Sequence, residues 1–247
     1  MTFFSPNLRK GTMALTAVVM FTALLLPWHW FDGAPLDQNV STTLIPHRPT
    51  LPGQGTQLLA NRFRDLWQKP EQVLDLLGNL EGKTVADIGC GLGYFTQPLA
   101  RRVGPAGTVL AVDIQAGLLE EMMLLMPEEL RPRVQPILAN PQKPGLPREV
   151  DLIVLIQVLA EVPDQLSFLA ALVAELRSGG QLLIIDSNVM VDEQSGLTRT
   201  WHPYALTEAL PGFNLEPVTP AIPDEGNWLR ETELLPRQFF QLWRKKN

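Results

Sequence analysis

The chain holds a single cysteine, Cys90, among 247 residues, which excludes a disulfide framework and any metal cluster built on cysteine. Its three histidines, His29, His47 and His202, are scattered and no H-E-x-x-H occurs, so no metal site is expected. Positive charge is also scarce. The formal charge is −6 and no basic stripe interleaved with aromatics is present, which argues against a nucleic-acid partner. The one basic run, Arg244-Lys245-Lys246, reads as a solvated tail. No G-x-S-x-G elbow exists, which disfavours an α/β-hydrolase. "GNLEGKT", residues 78–84, has three residues between its glycines where a phosphate loop needs four, and it precedes an apolar run instead of following one.

One stretch lacks charge altogether. From Gly11 to Phe31 there is no Asp, Glu, Lys or Arg. A helix of about 20 apolar residues crosses the roughly 30 Å hydrocarbon layer of a bilayer. Trp28 and Trp30 suit the interface at its far end. No A-x-A-like cleavage site follows, so residues 1–31 read as an uncleaved membrane anchor, with a removable signal segment as the rival. Arg9 and Lys10 precede the run and the next basic residue is Arg48. That bias leaves the N-terminus cytoplasmic and the rest of the chain on the other side of a bacterial inner membrane. Residues 32–55 carry four prolines and little apolar periodicity, as a tether would.

From residue 56 onward the pattern is regular. "QLLANRFRDLWQ" and "PEQVLDLLGNL" have helical spacing, with Pro70 placed to open the second. Strands "TVADIGC", "TVLAVDI", "RVQPILA", "VDLIVLIQV" and "QLLIID" then alternate with helices "YFTQPLARRV", "AGLLEEMMLLM" and "DQLSFLAALVAELR". Alternation of this kind predicts an α/β, doubly wound parallel sheet. Pro136 sends "RVQPILA" to an edge. "FNLEPVTPAI" and "RQFFQLWRKK" have no crossover-length helix between them, which predicts an antiparallel pair at the end.

In such a sheet, ligands sit beyond the carboxyl ends of the strands. Gly89, Gly91 and Gly93 follow the first strand, where a backbone lying against a ligand has no room for Cβ atoms. Asp113 ends the second strand 24 positions after Gly89, near the spacing at which a carboxylate takes ribose hydroxyls. The spacing is G-x-G-x-G. Tyr94 occupies the position at which the G-x-G-x-x-G fingerprint of dinucleotide binders needs its last glycine.

"VADIGCGLGYF", "VLAVDI", "VDLIVLIQVLAEVPD" and "LRSGGQLLIIDSN", in that order, resemble the motifs of class I S-adenosylmethionine-dependent methyltransferases. "FRDLWQKPEQVLDLLG" is similar to the segment before the glycine motif in a bacterial branch of that family. The resemblance covers roughly residues 60–247 and implies a Rossmann-like seven-stranded sheet, mostly parallel, with the last strand antiparallel. It implies S-adenosylmethionine as cofactor. Asp87, Gly89, Cys90, Gly91 and Gly93 would lie against its methionine part, and Asp113 with Ile114 would take the ribose side. Asn140 would accept from the adenine amino group, and Gln157 would stand at the junction with the acceptor. Cys90 would be a packing residue. Gln157, Glu161, His202 and Tyr204 are the candidates for the acceptor mouth, each with a plainer role open to it: satisfying backbone groups for Gln157, capping a helix near Pro163 for Glu161, and flanking a helix start for His202 and Tyr204.

Two departures matter. Pro141 has no N–H to give the adenine ring, and Leu159-Ala160-Glu161 replaces the Tyr-His-Glu-like triplet of the related branch. No Asn-Pro-Pro-Tyr-like tetrad follows the fourth strand, so amide or base-amine methylation has no support. The sequence therefore supports a methyltransferase for a small, apolar or lipid-like, membrane-associated acceptor. A degenerate domain acting through partners is the alternative. A nicotinamide-dependent oxidoreductase stands third.

Overall fold

Near-continuous runs of β-branched and aliphatic residues need cover on both faces, and the sheet places them accordingly. The computed structural model describes residues 64–140, 145–147, 149–187, 189–191, 198–200, 204–218 and 238–247. The expected anchor and tether, residues 1–31 and 32–55, lie outside them. No described helix is long and apolar enough to cross a membrane.

In chain order the elements are α1 (Arg64–Trp67), α2 (Pro70–Asp75), β1 (Thr84–Ile88), α3 (Thr96–Arg102), β2 (Thr108–Asp113), α4 (Ala116–Leu125), β3 (Val134–Leu138), β4 (Val150–Ile156), α5 (Gln165–Ala174) and β5 (Leu176–Ser187). They continue with β6 (Val189–Val191), β7 (Thr198–Thr200), α6 (Tyr204–Ala209), β8 (Leu215–Pro217) and β9 (Gln238–Lys245). Seven strands form one sheet in the order β3-β2-β1-β4-β5-β9-β8. The first five are mutually parallel, and β9 runs antiparallel to both β5 and β8. β6 and β7 form a separate antiparallel ribbon. The seven-stranded sheet with its antiparallel last strand is the architecture anticipated from the alternation and the resemblance.

Side-chain parity builds two cores. Val85, Val109, Leu152, Val154 and Leu183 point to one face under α2, α3 and α4. Ala86, Leu110, Ile153, Leu155, Ile184 and Trp243 fill the other, under α5 and α6. Leu155 is fully buried, and truncating such a side chain to alanine costs about 2–5 kcal/mol. β3 occupies the edge, with Pro136 opposite Ala111, as a residue lacking an N–H requires.

Two local expectations are corrected. The helix anticipated through Arg177 stops at Ala174, the chain entering β5 at Leu176, and Lys245 donates from Nζ to the carbonyls of Val173 (2.8 Å) and Leu176 (2.6 Å). Lys245 is thus a helix-end cation, favoured by the helix dipole, and not part of a solvated tail. "SGG" lies inside β5, as an irregularity between the Val150 and Leu152 pairings, with Gly179 at φ 73°. The N-cap of α5 is Asp164, whose carboxylate accepts from the Ser167 N–H at 3.1 Å, so Glu161 does not cap it.

Candidate active site

The sheet order reverses direction between β1 and β4, and the carboxyl ends of those strands flank the crevice where such folds bind ligands. The glycine loop emerges there. Gly89 and Cys90 both donate backbone N–H to the Val112 carbonyl, at 2.7 and 3.0 Å, which docks the loop onto the end of β2. Asp113 completes the join. Its Oδ2 accepts from the Gly91 N–H and its Oδ1 from the Gln115 N–H, both at 2.9 Å. A carboxylate offers about four lone-pair sites, so these two bonds orient Asp113 and still leave each oxygen able to accept a hydroxyl. Ile114, the next residue, is 46% exposed and presents an apolar side chain beside it. Asn140 lies exposed just past β3, after Ala139, whose N–H donates to the Asp113 carbonyl at 2.9 Å. Pro141 lies outside the described residues.

The glycines are demanded by the protein as much as by any ligand. A Cβ on Gly89, at φ 70°, would stand 2.4 Å from Cγ2 of Val158, and one on Gly93, at φ 81°, 2.6 Å from Cγ of Met122. These two glycines therefore also make room for the chain's own side chains. Gly89 admits the loop after β4 and Gly93 admits α4.

Behind the loop lies a charged cluster. Asp87, at the end of β1, is buried and accepts from the Thr96 hydroxyl at 2.6 Å. Burial raises its pKa to about 6, helped by the neighbouring Asp113 charge and opposed by the Thr96 hydrogen bond and by Arg64. The Arg64 guanidinium stacks 4.2 Å above the Tyr94 ring and donates from Nε to Gln68 Oε1 at 2.6 Å. Burial lowers its pKa. The Tyr94 hydroxyl donates to Asp65, and burial together with that bond pushes its pKa upward. Cys90 is buried, with Sγ 3.8 Å from the Gly91 carbonyl, and burial and the nearby Asp87 push its thiol pKa far up. A thiol in that state is a poor nucleophile.

The residues expected at an acceptor mouth are held differently. Gln157 sits at φ 60°, a conformation that side-chain-bearing residues seldom adopt. Its N–H donates to the Ile185 carbonyl at 2.8 Å, and its Nε2 donates to Oε1 of buried Gln238 at 3.1 Å. Asp186, fully buried at the end of β5, accepts from the N–H groups of Ala160 (3.1 Å) and Ser187 (2.8 Å). It thereby holds the short 3-10 turn Leu159–Glu161, which carries half-buried Glu161. Tyr204 opens α6 and is 56% exposed. His202 lies outside the described residues.

The structure thus brings Asp87, Gly89, Cys90, Gly91, Gly93, Asp113 and Ile114 to the ends of β1 and β2, and Asn140 to the end of β3. Gln157 and Glu161 follow β4. Thr96, Arg64, Asp186 and Gln238 were missed from the sequence. Asp186 could have been found, since it ends a strand as Asp87 and Asp113 do. Gln238 could not, because only the register of β9, with Gln238 opposite Ser187, brings it to Gln157.

Among known proteins, the family model described as "Methyltransferase domain" matches residues 59–216. The demethylmenaquinone methyltransferase of Lactococcus lactis subsp. lactis is 27% identical over 134 residues, 53% of this chain and 52% of that protein. The ubiquinone biosynthesis O-methyltransferase of Aeromonas salmonicida is 30% identical over 157 residues, 62% of this chain and 64% of that protein. The chain therefore spans about half the length of the first and less than two thirds of the second. A SAM-dependent methyltransferase from Aquifex aeolicus shares the fold with a TM-score of 0.59 at 21% identity, covering 79% of this chain and 100% of that one. Magnesium protoporphyrin IX methyltransferase from Synechocystis, solved with bound SAM, gives 0.53 at 16% identity over 72% of this chain and 79% of that one.

Proposed function

This chain belongs to the methyltransferase-domain family, and from that premise we propose that it is an S-adenosylmethionine-dependent methyltransferase acting on a small, apolar acceptor. The observation that carries the reading is Asp113. One buried carboxylate at the end of β2 ties the glycine loop to the next turn, with lone pairs remaining for a ribose diol and with exposed Ile114 beside it for a purine face. The buried acid Asp87 close by suits a cationic ligand, because a positive charge would offset the burial that raises its pKa.

When bound, the sulfonium supplies an electrophilic methyl group. The protein's task is then mainly to orient, and positioning of reactants can remove roughly 7–11 kcal/mol of barrier. Asp113 and the glycine loop hold the donor side. Gln157, braced by Gln238, and the turn held by Asp186 shape the acceptor side. Glu161 is the carboxylate placed at that mouth to take a proton from an acceptor that enters protonated.

Relatives named for demethylmenaquinone and for ubiquinone biosynthesis support an apolar, ring-bearing acceptor for this chain as well. The uncharged run Gly11–Phe31 supports a membrane tether that would keep such an acceptor close. Transfer of a labelled methyl group to a panel of lipid-soluble quinols and phenols tests the proposal, with Asp113→Ala as the blank. Label entering an extractable apolar product supports it. Donor binding with no label in any apolar acceptor refutes the acceptor class. A folded chain that binds no donor favours the non-catalytic alternative. A reporter enzyme fused at residue 55 tests the orientation in the membrane.

A further inference from the structure

A groove of about 660 Å³ lies beside Tyr94, between α2, α3 and the end of α4. Gly93 and Tyr94 of the glycine loop line it, but none of Gly89, Gly91, Asp113, Ile114 or Gln157 does, so it adjoins the crevice described above without coinciding with it. Its volume is that of a small-molecule site. The lining is apolar where it is deep and charged where it is shallow. Pro98, Met122 and Met126 are buried in its floor, and Leu125 stands 62% exposed on its wall. Leu124, next to it, is 77% exposed, so this end of α4 shows water two adjacent large aliphatic side chains.

The charges on the lining are not equivalent. Asp65 already accepts from the Tyr94 hydroxyl, and Glu71 already pairs with Arg102 at 2.9 Å. Arg101, in the last turn of α3, is exposed, and among the described residues its guanidinium makes no ion pair or hydrogen bond. Lys69 adds a second positive charge to the rim. An apolar floor with a committed pair of acids and an uncommitted guanidinium is complementary to one kind of ligand.

We propose that this groove binds a single-chain amphiphile with an anionic head, its alkyl chain along Leu125 and Met126 and its head on Arg101. Gly93, which lines the groove and packs against Met122, belongs to the glycine loop, so an occupant adjoins that loop. The assignment goes beyond the proposed methyl transfer and does not depend on it.

Photolabelling of the full chain tests it. The probe is a dodecanoate bearing a diazirine on its chain, compared with a dodecylammonium of the same length and the same diazirine. The dodecanoate is expected to attach within the peptide holding Leu124–Met126, and unlabelled laurate should compete. Arg101→Glu and Leu125→Glu, both at exposed positions, should each reduce that labelling about tenfold. Equal labelling by the ammonium probe would overturn the proposal, as would labelling of this peptide that Arg101→Glu leaves unchanged.

Discussion

The two sides of the crevice are built by opposite means. On the proposed donor side, after β1 and β2, one carboxylate and one carbonyl gather backbone N–H groups from Gly89, Cys90, Gly91 and Gln115. All of it comes from residues 87–115. On the acceptor side, side chains from three distant stretches brace one another: Gln157 on Gln238, and the Leu159–Glu161 turn on Asp186. The first arrangement needs only short-range chain geometry, whereas the second exists only once β5 and β9 have paired. Gly89 is where the two meet, with Val158 lying over it.

Breaking the donor side should have the largest effect. Asp113→Ala removes a carboxylate and orphans two N–H groups, and hydrogen bonds to charged groups are worth about 1.5–3 kcal/mol each. Donor affinity should fall by roughly 100-fold or more, read by calorimetry, since about 1.4 kcal/mol is a factor of ten.

Asp87 separates charge from geometry on the same side. Its folded-state pKa, about 6, lies above the ordinary carboxylate value of about 3.9, so folding favours the protonated form relative to the unfolded chain. That contribution to stability is fully present below about pH 4 and is lost as pH rises through 6. Asp87→Asn still accepts from Thr96 and has no charge to bury. In the ligand-free chain it should be more stable than the parent at pH 7.5 by on the order of 2–3 kcal/mol, the difference vanishing near pH 4 in denaturant titrations. A pH-independent difference would show that Asp87 does not titrate in this range.

Substitution at the meeting point tests whether the two sides are mechanically joined. Gly89→Ala places a methyl group against Val158 in a left-handed backbone and should cost about 1–3 kcal/mol. Val158→Ala should recover part of that loss in a double-mutant cycle, whereas strict additivity would mean that the contact does not couple the loops. The smallest effect belongs to the brace on the acceptor side. Gln238→Ala should leave donor affinity intact and lower the turnover of a competent acceptor by roughly tenfold, since misplacement at a reacting centre is costly. A parallel loss of donor affinity would assign Gln238 to the donor site.

The same contrast explains what the sequence made legible. The mostly parallel sheet, its edge strand and the glycine loop follow from periodicity, from Pro136 and from carboxylates that end strands, all of them local signals. The packing role of Gly89 and Gly93 is not legible, because their partners Val158 and Met122 lie 69 and 29 positions away and leave no local trace. Lys245 capping α5 and Gln238 holding Gln157 are long-range for the same reason: the first spans 72 positions and the second 81. Arg64 and Thr96 looked like ordinary helix residues, and only the burial of Asp87 gives them a role.

The most direct test of the donor site is calorimetric titration of the full chain with S-adenosylmethionine, its demethylated product and NADH. The account predicts micromolar binding of the sulfonium compound and its product, abolished by Asp113→Ala, with no heat from NADH. Binding of NADH at the same site, or no heat from S-adenosylmethionine with a chain shown to be folded, would contradict it.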